Sequence, residues 1–194
     1  MIWFNWQKFF TSTARWILGL VVGLLQGRWV LLTPPMLKNQ VLFKGDGRKL
    51  LTLRISSYYD WATIQEVFVR EEYGTEPFPI NDEIQFYYSE LIQNAQTPLV
   101  VDMGANIGVS SAYFSNTYPG AQLLALEPSE SNFSLLSMNT EGLGNVEPLN
   151  VAIGPDSGFQ KMFDPRLGNN AYRTFGADEH FVGNVKIMSV QDVL

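Results

Sequence analysis

Apolar residues are spaced along this chain in three different ways. From Trp16 to Leu25 they run unbroken as Trp16-Ile-Leu-Gly-Leu-Val-Val-Gly-Leu-Leu25, and after Gln26-Gly27-Arg28 the run resumes as Trp29-Val-Leu-Leu32. Thr33-Pro34-Pro35 closes this stretch, because proline cannot continue a helix and disfavours helical geometry in the residue before it. Residues 1–35 are therefore read as one apolar, aromatic helical segment. Between residues 36 and 97 the apolar runs shorten. Val41-Leu-Phe43 and Leu50-Leu-Thr-Leu53 flank Lys44-Gly45-Asp46-Gly47, the pattern of a hairpin with a glycine-rich turn. Trp61, Ile64, Val67 and Phe68 then recur at helical spacing, which predicts a helix over Asp60–Tyr73 with Asp60 as its N-cap and Gly74 as its terminator. Residues 82–95 read as a further helix leading to Pro98.

The third regime, residues 98–194, is the most regular. Leu99-Val-Val-Asp102 is a short β-branched run of the kind that forms a strand buried on both faces. A glycine loop follows, then a helix over Ile107–Thr117, a turn at Pro119-Gly120 and a second buried strand over Gln122–Leu126. Ser129 or Ser131 can cap a helix running to Thr140, and Asn145–Ile153 reads as a third strand. Strand, helix, strand, helix, strand is the order of a doubly wound parallel α/β sheet. Beyond it, Gly154–Gly158 reads as a turn, Phe159–Phe163 and Ala171–Phe175 as antiparallel strands, and Val185–Val190 as one more strand. Gln191–Leu194 begins a turn or helix, and His180 falls in a loop-like stretch.

Composition excludes several functions. The chain has 194 residues, 46% apolar and 16% charged, which suits one folded domain with a real core. A net charge of -6, a pI near 4.8 and the lack of any Lys/Arg run argue against nucleic-acid binding. The absence of cysteine excludes disulfides and thiolate metal sites and fits a reducing, cytoplasmic compartment. With His180 the single histidine, no His-cluster metal site and no histidine-based hydrolase is expected. Residues 1–32 keep three readings open. Their apolar face packs on the domain or on a second copy in a homo-oligomer, they make a peripheral membrane contact through Trp3, Phe4, Trp6, Phe9, Phe10 and Trp16, or they span a bilayer, for which the run is short.

The chemistry concentrates in Val101-Asp102-Met103-Gly104-Ala105-Asn106-Ile107-Gly108, set between a predicted strand and a predicted helix. Gly104 allows a tight turn and a close approach of backbone to ligand, and Gly108 lets the helix start lie close to the strand. Asn106 tolerates left-handed backbone angles better than most residues. Free loop amides at a helix N-terminus suit a carboxylate or phosphate, while Asp102 suits a ligand amino group. S-adenosylmethionine carries both an ammonium and a carboxylate. Glu127, closing the next strand, can accept hydrogen bonds from both ribose hydroxyls. Dinucleotide sites use that acid too, so a nicotinamide-dependent dehydrogenase stays as a rival, although Asp102 with Gly-x-Asn-x-Gly leans away from it.

Val100-Val-Asp-Met-Gly-Ala-Asn-Ile-Gly-Val-Ser-Ser111, then Leu126-Glu-Pro-Ser-Glu-Ser-Asn132 and Asn150-Val-Ala-Ile-Gly154, resemble the FkbM-type methyltransferase family. Asp60–Tyr73 resembles the helix that often precedes its catalytic domain, so the likeness covers residues 55–194. The resemblance implies a Rossmann-like class I methyltransferase sheet, S-adenosyl-L-methionine as cofactor, no metal, and O-methylation of a hydroxyl on a sugar, glycolipid or secondary metabolite. It implies that Asp102, Gly104, Ala105, Asn106 and Gly108 hold the methionine end, Glu127 the ribose, and Asn150 and Val151 the adenine edge. Tyr58, Tyr59 and Asp60 are candidates for the acceptor side, and no catalytic base is identified. The family's later Asp-x-x-Lys-x-Asp-x-Glu-Gly-like segment has no counterpart. Of the usual strand order 3-2-1-4-5-7-6, only strands 3, 2 and 1 are expected, which would leave strand 1 as an exposed apolar edge. The alternative is thus a catalytically incomplete or membrane-associated remnant keeping part of a cofactor site.

Overall fold

The computed structural model describes residues 14, 16–21, 23–25, 28–34, 37–44, 50–164 and 180–193. Two units divide the chain, Met1–Tyr73 and Gly74–Leu194.

The first unit holds a helix, α1, with helical residues at 14, 16–21 and 23–25, and an antiparallel sheet of β1 (Trp29–Leu31), β2 (Asn39–Lys44) and β3 (Leu50–Arg54) in the order β1-β2-β3. The predicted hairpin is β2 and β3, with Leu42 opposite Leu51; its turn, residues 45–49, lies outside the described residues. The helical reading of residues 29–32 is corrected. Trp29, Val30 and Leu31 are all buried in a strand, Val30 opposite Phe43, and Leu32 N–H continues the ladder to the Val41 carbonyl at 2.7 Å. Cross-strand pairing of three buried, largely β-prone side chains outweighs continuation of the helix. Gly23 permits this arrangement, because a Cβ there would stand 2.5 Å from Val30 Cγ1. Among the described residues no helix is long and apolar enough to cross a membrane.

α2 (Tyr58–Ile64) continues into a π-helical turn, Gln65–Val69, earlier than the predicted stop at Gly74. Its N-cap is Ser57 rather than Asp60. Asp60 occupies the third helical position of a capping box, taking the N–H of Ser57 at 2.9 Å while the Ser57 hydroxyl accepts the Asp60 N–H at 3.2 Å. Trp61, Ile64, Val67 and Phe68 face inward with Val30, Leu31, Leu42 and Leu53 to form the core of this unit, and the Phe68 ring meets Trp29 edge-on at 5.2 Å.

In the second unit α3 (Ile80–Gln93) precedes a parallel sheet of β4 (Leu99–Met103), β5 (Gln122–Leu126) and β6 (Val146–Leu149), in the order β4-β5-β6. The crossovers are α4 (Val109–Thr117) and α5 (Glu130–Thr140). The unit is thus mixed α/β with a parallel sheet, in the strand sequence the apolar pattern predicted. Leu123, Ala125 and Leu126 of β5 are fully buried, as expected of a central strand. β4 departs from the expectation of burial on both faces: Leu99 and Met103 at its ends are exposed and its middle is half-buried, because it pairs only with β5 among the described residues. Val101 and Met103 share one face of β4 and line an apolar cleft of about 160 Å³ with Ile153, Val190 and Val193.

The single third strand expected over Asn145–Ile153 is two strands. β6 ends at Leu149, and β7 (Ala152–Gly154) joins a second sheet with β8 (Gly158–Asp164) and β9 (His180–Ser189), in the order β7-β9-β8. Asn150 and Val151 make the break between them. Pro148 is tolerated within β6 because that strand is an edge of its sheet. His180 is the exposed first residue of β9, opposite Asp164, rather than part of a loop, since β9 runs farther toward the N-terminus than Val185. The strand predicted over Ala171–Phe175 lies outside the described residues. Val190–Val193 forms a short helix, α6.

Candidate cofactor site

The site is built at the carboxyl ends of β4 and β5, where a parallel sheet presents its loops together. The chain leaves β4 after Met103 and turns through Gly104 and Asn106, whose φ angles are +84° and +52°, to Gly108 at +86°. These left-handed angles explain Gly-x-Asn-x-Gly in physical terms: two positions lack a Cβ and the third is one of the few side chains that accepts the region. A Cβ on Gly108 would lie 2.8 Å from Leu136 Cδ1 and 3.4 Å from Thr140 Cγ2, so this glycine is what lets α4 start close against α5. A Cβ on Gly104 would meet nothing within 4 Å, because that side of the loop faces open space. The helix starts at Val109, two residues later than predicted, because Ile107 and Gly108 are still in the loop.

Backbone contacts hold the loop against β5. The N–H groups of Gly104 and Ala105 both reach the Leu126 carbonyl at 2.9 Å, and Gly108 N–H reaches the Ala105 carbonyl at 2.8 Å. Buried Ala105 packs with Ala125 and Leu136. From α5, Asn139 Nδ2 donates to the Ile107 carbonyl at 2.7 Å in a buried contact.

Glu127 is the hinge of this arrangement. Only 5% exposed, it accepts the Asn106 N–H on Oε2 at 2.9 Å and the Ser129 N–H on Oε1 at 2.8 Å. Burial pushes its carboxyl above the ordinary carboxylate range. Hydrogen bonds from Ser129, Asn106 and Asn132 pull the other way, and the charge of Asp102 adds a further upward push. Asn150 closes the rim, its Nδ2 donating to the Glu127 carbonyl at 2.8 Å and to that of Pro128 at 3.2 Å. Buried Val151 follows, with its N–H on the Leu149 carbonyl at 3.0 Å.

Asp102 stands near the end of β4. Its Oδ2 accepts the Ser110 hydroxyl at 2.7 Å and the Ser111 hydroxyl at 2.6 Å. The structure therefore brings Asp102, Gly104, Ala105, Asn106, Gly108, Glu127, Asn150 and Val151 to the ends of neighbouring strands. Asp60 behaves differently from the expectation that it faces an acceptor. It is 1% exposed, and one carboxylate oxygen takes Ser56 N–H, Ser56 Oγ and Ser57 N–H.

The sequence assigns no site role to Ser110, Ser111, Ser129, Asn132 or Asn139, although Ser129 is read there as a helix cap and is the N-cap of α5. The paired serines in the first turn after a glycine loop were the available signal, since short hydroxyls there can reach back to the preceding strand end.

Whether these residues fit an amino-acid ligand can be judged from what they leave open. Asn106 Oδ1 is buried with no hydrogen-bond partner, an unusual state for a buried polar atom. It lies in the same loop as the uncovered face of Gly104. With both serine hydroxyls on Oδ2, the other oxygen of Asp102 is the one left for an ammonium. Among the described residues no group of His, Cys, Asp or Glu could hold a metal ion.

Comparison with known proteins agrees with the chemical class. No family model matches the chain. The chain is similar to methyltransferase sdnD of Sordaria araneosa, at 31% identity over 134 residues, covering 54% of this chain and 52% of that protein. It is also similar to methyltransferase 1 of Beauveria bassiana (strain ARSEF 2860), at 26% identity over 110 residues, covering 55% of this chain and 38% of that protein. The chain thus matches about half the length of the first relative and less of the second. These similarities support a methyltransferase family.

Proposed function

We propose that the chain binds S-adenosyl-L-methionine and serves methyl transfer, with the FkbM-type O-methyltransferases as its family and a Rossmann-like class I sheet as its scaffold. The observation that carries the reading is the Glu127–Asn106 contact at 2.9 Å, which joins an acid at the end of β5 to a left-handed glycine loop at the end of β4. The two curated relatives, both named methyltransferases, support it further.

In this reading Asp102 and the loop Gly104-Ala105-Asn106-Ile107-Gly108 hold the amino-acid end. Glu127 receives the ribose hydroxyls, and Asn150 and Val151 border the adenine. The cofactor supplies an electrophilic methyl group. The protein's share is to hold the donor, exclude water and align an acceptor hydroxyl on a sugar, glycolipid or secondary metabolite. An acid at the strand end alone would equally suit a dinucleotide. What favours the sulfonium ligand is a carboxylate, Asp102, beside the loop, where a pyrophosphate would be repelled.

Calorimetric titration with S-adenosylmethionine, S-adenosylhomocysteine and NAD tests this directly. Binding of the first two is expected, with loss of both in Asp102→Ala and in Glu127→Ala. Binding of NAD alone, or unchanged affinity in both variants, overturns the assignment.

A further inference from the structure

Asp102 is held in an unusual way. Ser110 and Ser111, consecutive residues in the first turn of α4, both donate to the same carboxylate oxygen, at 2.7 and 2.6 Å. These lengths are those of charge-assisted hydroxyl–carboxylate bonds. Ser111 is fully buried and Ser110 half-buried, so the hydroxyl of Ser111 has no solvent alternative. A hydroxyl has one proton to give, and here both protons go to Oδ2. The side-chain torsion of Asp102 is thereby fixed, and its remaining acceptor capacity is concentrated on Oδ1. Gly108, the N-cap of α4, offers no side chain to the helix end, so the contacts of Ser110 and Ser111 with Asp102 set a negative charge against the first turn of this helix, the favourable sign for its positive end.

From this geometry we infer that Ser110 and Ser111 are positioning residues for the ligand's ammonium group, acting through Asp102. The inference rests on the cofactor reading above and goes beyond it by assigning the orientation of Asp102 to a pair of hydroxyls on the following helix. Neither serine needs to touch the ligand. Their effect is confined to the amino-acid end, because the contacts that place the ribose acid, through Asn106 and Ser129, involve neither of them.

Two ligands separate this role from a merely structural one. S-adenosylhomocysteine carries the amino-acid end, and 5′-methylthioadenosine has the same nucleoside thioether without it. Titrations of wild type, Ser110→Ala, Ser111→Ala and the double variant should show about tenfold weaker S-adenosylhomocysteine binding for each hydroxyl removed, with methylthioadenosine unchanged. Ser110→Thr, which keeps a hydroxyl at the half-buried position, should restore the affinity. Equal loss of both ligands, or no loss of either, overturns the positioning role while leaving the cofactor reading intact. Failure of the wild type to bind S-adenosylhomocysteine overturns both. Should Ser111→Ala unfold the chain, Ser110→Ala and Ser110→Thr decide the matter alone.

Discussion

The buried carboxylate of Glu127 bridges two backbone N–H groups from different segments, Asn106 on Oε2 at 2.9 Å and Ser129 on Oε1 at 2.8 Å. One side chain thereby fixes both the glycine loop after β4 and the entrance to α5. An isosteric amide cannot repeat this, since its NH₂ is a donor and would face one of the two N–H groups. Glu127→Gln is therefore expected to lower stability by about 1–3 kcal/mol, the cost of an unsatisfied buried donor. Urea unfolding measures it. A midpoint equal to that of wild type would show that the two amides do not depend on the carboxylate.

The same residue sets a pH dependence whose sign can be worked out. Burial raises the Glu127 carboxyl above the ordinary range, so the folded chain takes up its proton at higher pH than the unfolded chain does. Its contribution to stability consequently grows as pH falls from the raised native value to the ordinary unfolded one, and is constant outside that window. Glu127→Gln has no such proton, so the stability of wild type relative to the variant should rise across this window. Affinity for S-adenosylmethionine should fall over the same interval, as the ionised acceptor for the ribose is lost. Unfolding and titration series on both proteins check the two trends. Parallel stability curves would remove the shift.

The two positive-φ glycines of the loop after β4 predict opposite phenotypes. At Gly108, alanine combines a left-handed backbone with a contact 2.8 Å from Leu136, and the expected cost is about 2–5 kcal/mol. At Gly104 the backbone strain is similar, but the added methyl enters open space. Gly104→Ala should therefore cost only about 1–2 kcal/mol and keep the fold while weakening S-adenosylmethionine binding. Thermal unfolding and titration of both variants distinguish the cases. Full affinity in a folded Gly104→Ala chain would place the ligand elsewhere.

These contrasts show what the sequence makes legible. β5 and the loop from Asp102 to Gly108 announce themselves because a buried parallel strand reads as a continuous apolar run and a left-handed turn demands glycine or asparagine. Trp29–Leu31 reads as helix because a short apolar run has no period, and only the partner strand β2 decides its form. The break at Asn150 depends on a side chain reaching back to the Glu127 and Pro128 carbonyls, a contact that local pattern does not contain. Ser110 and Ser111 are hidden for the same reason: two serines in a helix are unremarkable until the fold sets Asp102 within reach.

Asn139 makes the corresponding argument from α5. Its amide donates to the Ile107 carbonyl at 2.7 Å, and the contact is buried and lies between two glycine-loop positions, Asn106 and Gly108. Asn139→Ala leaves that carbonyl without its donor and opens space beneath the loop. The expected loss is about 1–3 kcal/mol, together with faster hydrogen exchange at the amides of Asn106, Ile107 and Gly108. Asn139→Asp should be worse, because an ionised carboxylate would face the carbonyl with no proton to offer. Affinity for S-adenosylmethionine should fall in both variants, although in the proposed site Asn139 is not a ligand contact, because the cost of ordering the loop is then charged to binding. Unchanged exchange at those three amides in Asn139→Ala would show that the loop holds its shape without support from α5.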